Sequence, residues 1–265
     1  MLRGEAASAP DGADRSTALS ERRRPRFSLV EVPLFLRAMW FVGARFACPC
    51  CGWRLRAFVS GGASLRSLPR GFCPRCGAKA RHRRLWLFLR QHTNLFSEPL
   101  RCLEVSPRYA FWRRLSGMDN LDYVAADLRD GRHVRLRMDL TAAPIRSESF
   151  DAAICVHVLE EIADDRAAMR ELFRVLRPGG WALVSVPTRM DRDTYEDASI
   201  VDPKDRKRAF GERAHVRVYG RDLGARLASV GFDVRVDLAT DVEPAIRDRF
   251  GLKDDENVFL CGKPA

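Results

Sequence analysis

Two closely spaced pairs of cysteines near the start of the chain are the residues whose chemistry is easiest to predict. Cys48 and Cys51 belong to CPCCG, and Cys73 and Cys76 belong to FCPRCG, with 21 residues between the two pairs. Two such turns present four thiolates to one tetrahedral ion, and Zn²⁺ is the ion that commonly binds such a set. We therefore predict a structural zinc site, with no open coordination position for catalysis.

Two other residues are alternative ligands for this site. Cys50 lies inside the first pair, but the repeated CPxCG pattern favours Cys51. His82 lies in the basic run RHRR, and we predict that it is a surface or interdomain residue instead. The alternative to a metal site is a set of redox-active or simply packed thiols.

From Leu100 onward, short apolar segments alternate with helical patterns, which is typical of βαβ units and a mainly parallel sheet. In such sheets, ligands bind beyond the carboxyl ends of the strands. Three acidic residues lie at predicted strand ends, namely Glu104, Asp127 and Asp139. Asp127 follows Glu104 by 23 residues, and a carboxylate at that spacing can accept hydrogen bonds from both hydroxyls of a ribose.

A resemblance to a known family rests on the stretch from Arg137 to Pro187. Its motifs are MDL, SFD, HVLEE, VLRPGG and WALVSVP. This stretch resembles the class I S-adenosylmethionine-dependent methyltransferases of the type 11 group, over roughly residues 98–262. The resemblance implies an α/β fold with a Rossmann-like, seven-stranded, mainly parallel sheet, here preceded by a small four-cysteine zinc ribbon. It also implies S-adenosyl-L-methionine as the cofactor.

The resemblance further implies the residues of the cofactor site. Glu104 would lie near the amino acid part of the cofactor, Asp127 with Leu128 at the ribose, and Asp139 with Leu140 at the adenine. The family usually has a glycine-rich loop after the first strand, whereas this chain has Ser106, Pro107 and Arg108 there. Either Ser106 and the following helix N-terminus hold the cofactor carboxylate, or cofactor binding is weakened or lost.

Two histidines are candidates for catalysis. His157 ends the fourth strand, where it would orient the cofactor or acceptor, act as a base, or cap the strand. His215 alternates with Arg217 and Tyr219 in a long loop, so that the three would share a face over the acceptor if extended. A solvated loop with an incidental histidine is the alternative.

The positive charge of the chain is concentrated near its start. The net charge is +11, yet residues 1–95 contain 18 Lys or Arg and 5 Asp or Glu, whereas the rest contains 28 and 30. This asymmetry predicts an anionic partner such as nucleic acid or a membrane surface, with Arg81, Arg83 and Arg84 as its first contacts. Alternatively, arginine only keeps this part of the chain in solution.

The domain organisation follows from these patterns. We predict a disordered tail at 1–26, an amphipathic helix at 27–46, the zinc ribbon at 47–78, a linking helix at 79–97 and the methyltransferase domain at 98–265. No signal peptide is recognisable, and Arg37 would lie mid-bilayer if 27–46 crossed a membrane. The cysteine pattern is typical of a reducing compartment, so we predict a cytoplasmic protein without a transmembrane segment.

These observations leave three functional hypotheses. The first is methyl transfer from S-adenosylmethionine to an unidentified acceptor, such as a small molecule, a sugar or a lipid-linked substrate. The second is a zinc-ribbon RNA methyltransferase, in which the basic part of the chain binds phosphates. The third is a non-catalytic binding protein with a degenerate cofactor loop.

Overall fold

The computed structural model describes residues 35–36, 38–60 and 67–265. The predicted tail at 1–26 and the first part of the predicted helix at 27–46 lie outside these residues. The prediction of a helix is wrong for its last part, because Val42–Ala47 forms a strand, β1. β1 pairs antiparallel with β2 (Arg54–Leu55) to form a hairpin. Within this hairpin, the Cys48 N–H donates a hydrogen bond to the Trp53 carbonyl at 2.9 Å. The cysteine turn therefore requires an extended segment before it.

A long helix connects the ribbon to the rest of the chain. Helix α1 (Ala80–His92) starts three residues after Gly77, close to the start predicted for the linking helix. Its apolar side packs into a core that also contains Phe58 of the ribbon and Ile154 of the sheet. Ribbon, helix and one face of the sheet thus share one continuous core.

The central element is a seven-stranded sheet with the order β11-β12-β7-β6-β3-β4-β5. Its strands are β3 (Leu100–Val105), β4 (Leu121–Asp127), β5 (Leu136–Arg137), β6 (Phe150–Val156), β7 (Leu176–Ser185), β11 (Asp233–Asp237) and β12 (Val258–Gly262). β12 pairs antiparallel with both of its neighbours, and the other pairs are parallel. The predicted Rossmann-like sheet is confirmed.

Helices cover both faces of this sheet because each has an apolar side. Helices α2 (Tyr109–Leu115), α3 (Asp165–Val175) and α5 (Leu223–Ala228) follow β3, β6 and β10, respectively. In α3 the buried residues Ala168, Met169, Leu172 and Val175 recur at helical spacing. The Asp164 carboxylate accepts a hydrogen bond from the Ala167 N–H at 2.9 Å and caps this helix.

The long segment after β7 is ordered in a second, smaller sheet. Strands β8 (Thr188–Arg189), β9 (Tyr195–Glu196) and β10 (Arg217–Gly220) form it in the order β8-β10-β9. Helices α4 (Pro203–Phe210) and α6 (Pro244–Phe250) were not expected from the sequence. In the described part of the chain, no helix has the length and apolar character needed to span a bilayer.

Candidate active site and metal centre

The four predicted cysteines converge on one point of the ribbon. Their sulfur atoms all lie within 4.8 Å of one another, with Cys48 Sγ 3.7 Å from Cys76 Sγ and Cys51 Sγ 3.8 Å from Cys73 Sγ. Four ligands at the usual Zn–S distance of about 2.3 Å have sulfur–sulfur separations of about 3.8 Å in a tetrahedron. The spacing of the thiolates therefore fits a tetrahedral zinc ion.

The two cysteine turns have matching backbone geometry. Gly52 and Gly77 both adopt positive φ, at 71° and 73°, and each donates its N–H to the carbonyl of the first cysteine of its pair at 2.8 Å. Only glycine adopts this conformation without steric cost. Cys50 points elsewhere, with its thiol 3.5 Å from the His82 carbonyl oxygen. The sulfur positions thus favour Cys51 over Cys50 as the ligand.

His82 is an interdomain residue and not a ligand. It is 5% exposed, its ring lies 5.4 Å from that of Phe111, and Nδ1 accepts the Lys79 N–H at 3.2 Å. Burial lowers the pKa of His82 to about 3, so the imidazole is neutral. It therefore serves as part of the apolar contact between α1 and α2.

Arg83 joins the ribbon to a distant part of the chain. Its fully buried guanidinium donates to the carbonyls of Gly71 and Ala78 in the ribbon and of Phe250 and Gly251 at the end of α6, at 2.6–2.9 Å. It also lies 3.7 Å from the centre of the Phe58 ring. Each hydrogen bond has a charged donor and is therefore stronger than a neutral one.

Gly251 permits this close contact. It has φ +57°, and a Cβ there would lie 2.4 Å from the Pro69 carbonyl oxygen and 2.5 Å from the Phe58 ring. The loop after α6 thus fits against the ribbon only because residue 251 has no side chain.

Two of the three arginines predicted to contact an anionic partner cannot do so. Arg83 and Arg84 are 0% and 5% exposed, and Arg84 forms an ion pair with Asp237. The basic composition of RHRR predicts a solvent-exposed segment. In the structure, however, Arg83 and Arg84 form hydrogen bonds with residues more than 150 positions away in the chain. Only Arg81 of this group faces an open space.

That open space is a cleft of about 410 Å³ at the carboxyl ends of the strands. Arg108, which follows β3, and His157, which follows β6, lie on its wall together with Arg81 of α1. The chain order reverses between β3 and β6, because β4 and β5 extend the sheet on one side and β7 on the other. Such a reversal point is where open α/β sheets bind their ligands.

The loop after β3 has an unusual conformation. Ser106 adopts φ +54°, which is rare for a residue other than glycine. Its N–H donates to the Ala126 carbonyl at 2.8 Å. The backbone here thus follows the path that a glycine would take, although serine occupies the position.

Glu104 lies beneath this loop and not in the open cleft. It is 4% exposed and accepts hydrogen bonds from the Tyr123 hydroxyl and the Arg108 N–H. Burial raises the pKa of Glu104 to about 7, although these two hydrogen bonds oppose the shift. Its contacts are those of a residue that fixes the loop.

The other predicted cofactor residues lie along the same edge of the sheet. Asp127 ends β4 with Oδ1 accepting the Arg129 N–H at 3.0 Å, and the following Leu128 is 60% exposed. The Asp139 Oδ1 accepts from the N–H and hydroxyl of Thr141 at 2.8 Å each, and this lowers the pKa of Asp139. Leu140 is buried. Asp127 and Asp139 each retain a carboxylate oxygen for a ligand.

His157 is held at the cleft by two carboxylates. Its Nδ1 lies 3.0 Å from Oε1 of the buried Glu160, and its Nε2 lies 3.6 Å from Oε2 of Glu256. Its backbone is in the left-handed region at φ +55°, and the N–H donates to the Ser185 carbonyl at 2.8 Å. Non-glycine residues in this conformation often belong to functional sites.

His215 approaches the same carboxylate from the long segment after β7. Its Nε2 lies 3.8 Å from Oε1 of Glu160. The predicted alternation of His215, Arg217 and Tyr219 is reproduced, but Arg217 and Tyr219 are buried. Arg217 donates to the carbonyls of Leu159, Ile162 and Ala163, and the Tyr219 hydroxyl donates to Asp165. Of these three residues, only His215 lies on the cleft wall.

The two carboxylates control the charge of His157. Burial disfavours the imidazolium, but Glu160 and Glu256 outweigh it and raise the pKa of His157 above its usual value. Protonation of His157 therefore stabilises the fold, fully below the ordinary pKa of about 6.5. That stabilisation is lost as the pH rises through the higher pKa of the folded state.

Glu160→Gln should lower the pKa of His157, because it removes the nearest negative charge without changing the shape of the side chain. An NMR titration of the histidine ring signals measures this shift. Glu161→Gln is the matched control, since Glu161 is adjacent in sequence but exposed. Equal titration curves for the Glu160→Gln variant and the wild type would contradict the assigned pairing.

A second groove, of about 480 Å³, lies between the ribbon and α6. Arg45, Arg70, Arg247 and Arg249 are on its wall. It includes none of the residues that follow β3, β4 or β6. The groove is therefore separate from the predicted cofactor site.

Fold and site together define the class of this protein. A seven-stranded sheet with one reversed strand, a cleft at its reversal point and carboxylates at successive strand ends are features of Rossmann-like, nucleotide-binding α/β domains. Residues 101–184 match the family described as "Methyltransferase domain". The part of the sheet from β3 to β7 is thus similar to a methyltransferase domain, and a four-cysteine ribbon precedes it.

One relative with an assigned function matches part of this domain. A probable S-adenosylmethionine-dependent methyltransferase of Mycolicibacterium smegmatis is 36% identical over 91 residues, which is 33% of this chain and 35% of the relative. The match thus spans about a third of the length of that protein.

Two solved structures are similar in shape. The S-adenosylmethionine-dependent methyltransferase from Mesorhizobium loti shares 19% identity with a TM-score of 0.45, over 67% of this chain and 97% of that chain. The 1,6-didemethyltoxoflavin-N1-methyltransferase of Burkholderia thailandensis, solved with S-adenosylhomocysteine, shares 16% identity with a TM-score of 0.42. That likeness covers 63% of this chain and 72% of the other.

Sequence reasoning missed three residues of the cleft. Glu160 is 1% exposed, and its Oε1 lies 3.0 Å from His157 and 3.8 Å from His215, although in the sequence it is only an acidic residue near the start of a helix. Glu256 precedes the last strand, and no sequence pattern indicated its role, because His157, which it contacts, lies 99 positions earlier in the chain. Arg81 was predicted only as a contact for an anionic partner, but it lies on the cleft wall.

Proposed function

We propose that the chain transfers a methyl group from S-adenosylmethionine to an acceptor bound in the cleft. The observation that carries this proposal is the cleft at the reversal point of the sheet, where Arg108 after β3 and His157 after β6 face the same space. When bound, S-adenosylmethionine supplies an electrophilic methyl group, so the task of the protein is mainly alignment. The acceptor is a small molecule, a sugar or a lipid-linked substrate in this proposal.

The residues of this chain fit such a cofactor. The backbone at Ser106 already has the positive φ of a glycine, and the buried Nε of Arg81 has no hydrogen-bond partner among the described residues. Glu104 supports the loop, Ser106 faces the cofactor, Asp127 and Leu128 meet its ribose, and Asp139 and Leu140 meet its adenine. These roles rest on the positions of the residues along one edge of the sheet.

His157 and His215 are the side chains that we propose for the acceptor. Both lie close to the same oxygen, Oε1, of Glu160. Glu160 and Glu256 stabilise the protonated imidazole of His157, so this side chain can hold a proton that the acceptor releases. An acceptor atom that carries no proton needs no base, and for such an acceptor the protein only has to align this atom with the methyl group of the cofactor.

The zinc ion belongs to the same proposal. Cys48, Cys51, Cys73 and Cys76 would bind Zn²⁺ in a closed site, so its role is to fold the ribbon. All eight cysteines are free thiols, which agrees with the predicted cytoplasmic location. Nucleic acid is not part of the proposal, because Arg83 and Arg84 are committed to contacts within the fold.

Asp127→Ala should weaken binding of S-adenosylhomocysteine by tenfold or more. The lost interaction is a hydrogen bond to a charged group, which contributes about 1.5–3 kcal/mol. Isothermal titration measures the affinity. Asp130→Ala is the matched control, because Asp130 is three residues further on and its carboxylate is paired at the surface with Arg137 at 3.4 Å. Equal affinities of the Asp127→Ala variant and the wild type would rule out the ribose contact.

A further inference from the structure

The loop after β3 has no backbone donor left for an anion. The Ser106 N–H donates to Ala126, Pro107 has no N–H, and the Arg108 N–H donates to Glu104. In related nucleotide-binding folds, free N–H groups of a glycine-rich loop bind the anionic part of the ligand. In this chain, the three residues of this loop therefore offer no free N–H, and side chains nearby can take over the binding of an anionic group at the end of β3.

Arg81 is a side chain that is available for this purpose. Among the described residues it forms no hydrogen bond or ion pair, and its Nε is buried without a partner. The neighbouring arginines already have partners, since Arg83 donates to four carbonyls and Arg84 is paired with Asp237. A partly buried guanidinium without a partner is costly unless a ligand supplies the acceptor.

Arg108 reinforces the positive charge at the same place. It is exposed on the wall of the cleft. Burial is the largest cause that lowers the pKa of Arg81, the charge of Glu256 opposes this shift, and the charge of Arg108 adds to it. The other two cations of the cleft are already engaged. Lys79 Nζ lies 5.4 Å from the centre of the Phe72 ring, and Lys253 Nζ lies 3.9 Å from Asp255. Among the described residues, neither arginine forms an ion pair, although carboxylates such as Glu256 lie on the same wall.

From this arrangement we infer that Arg81 and Arg108 bind the carboxylate of the cofactor, in place of the missing glycine-rich loop. The inference rests on the proposed function, because it requires S-adenosylmethionine in the cleft. A guanidinium suits this task, because its planar fork of donors matches the two oxygens of a carboxylate.

The ribbon then becomes a part of the cofactor site. Arg81 is the second residue of α1, and α1 begins four residues after Cys76. The metal-binding turn and the Arg83 contacts fix the start of this helix, and they thereby fix the position of Arg81 at the cleft. The helix leaving the ribbon thus supplies a donor that the methyltransferase domain does not provide by itself.

Two ligands test the inference when titrated into the full-length, zinc-loaded protein. S-adenosylhomocysteine carries the carboxylate, whereas 5′-methylthioadenosine keeps the adenosine and thioether but lacks the amino acid part. Arg81→Gln should weaken binding of S-adenosylhomocysteine by about 10- to 100-fold, because a charged hydrogen bond is lost. The affinity for 5′-methylthioadenosine should change less than twofold. Arg90→Gln, at an exposed position of the same helix, should change neither affinity.

Three results would overturn the inference. An unchanged affinity of Arg81→Gln for S-adenosylhomocysteine would show that Arg81 does not touch the carboxylate. An equal loss for both ligands would show that Arg81 only maintains the shape of the cleft. A wild-type protein that binds 5′-methylthioadenosine as tightly as S-adenosylhomocysteine would show that the carboxylate is not recognised, while leaving cofactor binding intact. A wild-type protein that binds neither ligand would instead contradict the proposed function, and the inference with it.

Discussion

Replacing Cys73 with serine is expected to release the zinc ion and unfold the ribbon. Cys73 is fully buried, and its sulfur is one of four that lie at tetrahedral spacing. Because the free energy of zinc binding is also free energy of folding, about 10–16 kcal/mol in isolated zinc-finger peptides, loss of one ligand removes a large part of it. Metal analysis should find about one zinc per chain in the wild type and much less in the variant.

The chain contains a matched control for this experiment. Cys50 lies in the first cysteine turn and is as buried as the ligands, but its thiol points to the His82 carbonyl. Cys50→Ser should therefore keep the full zinc content. Zinc loss in Cys50→Ser, together with retention in Cys51→Ser, would assign the ligand set differently. Full zinc content in Cys73→Ser would refute the site.

Replacing Arg83 with methionine is expected to have the second large effect. The change leaves four carbonyl groups without their charged donor, two in the ribbon and two after α6. A buried acceptor that loses its donor costs about 1–3 kcal/mol, so the loss over four carbonyls should reach several kcal/mol. For a protein of this size, the midpoint of thermal unfolding should fall on the order of 10 °C. Differential scanning calorimetry measures it.

Two further variants show whether the hydrogen bonds cause this effect. Arg83→Lys keeps the charge but cannot reach four carbonyls with one ammonium group, so it should lie between the wild type and Arg83→Met. Arg90→Met, at an exposed position of the same helix, should change the stability by less than about 0.5 kcal/mol. The predicted contact would be refuted by an Arg83→Met variant that unfolds at the wild-type temperature.

The local part of the architecture was predictable from the sequence. The strand Phe150–Val156 is apolar apart from Asp151, because both faces of a central parallel strand are buried. The cysteine spacing likewise fixes the geometry of the metal site over a few residues, since each turn needs only its own glycine. The methyltransferase fold and the set of four sulfurs followed from these short-range patterns.

The sequence-based predictions that were wrong concern segments whose structure depends on contacts between distant residues. The composition of RHRR is basic, which is typical of an exposed segment. Arg83 is nevertheless buried, because the carbonyls of Phe250 and Gly251 accept its hydrogen bonds once the chain has folded. The segment before Cys48 seemed amphipathic and helical, but the hairpin that closes the cysteine turn makes Val42–Ala47 extended. A single sequence carries no signal for such long-range pairings.

The position of β12 has a consequence for the order in which the molecule assembles. β12 follows β11 in the chain but lies between β11 and β7, and it pairs Phe259 with Val184. Contacts between residues so far apart form slowly, because a long loop must close first. During synthesis, β3 to β7 can form a five-stranded sheet while the edge of β7 is still open. An open apolar edge can pair with other chains. The newly made protein is therefore most prone to aggregation in the interval before β12 emerges from the ribosome.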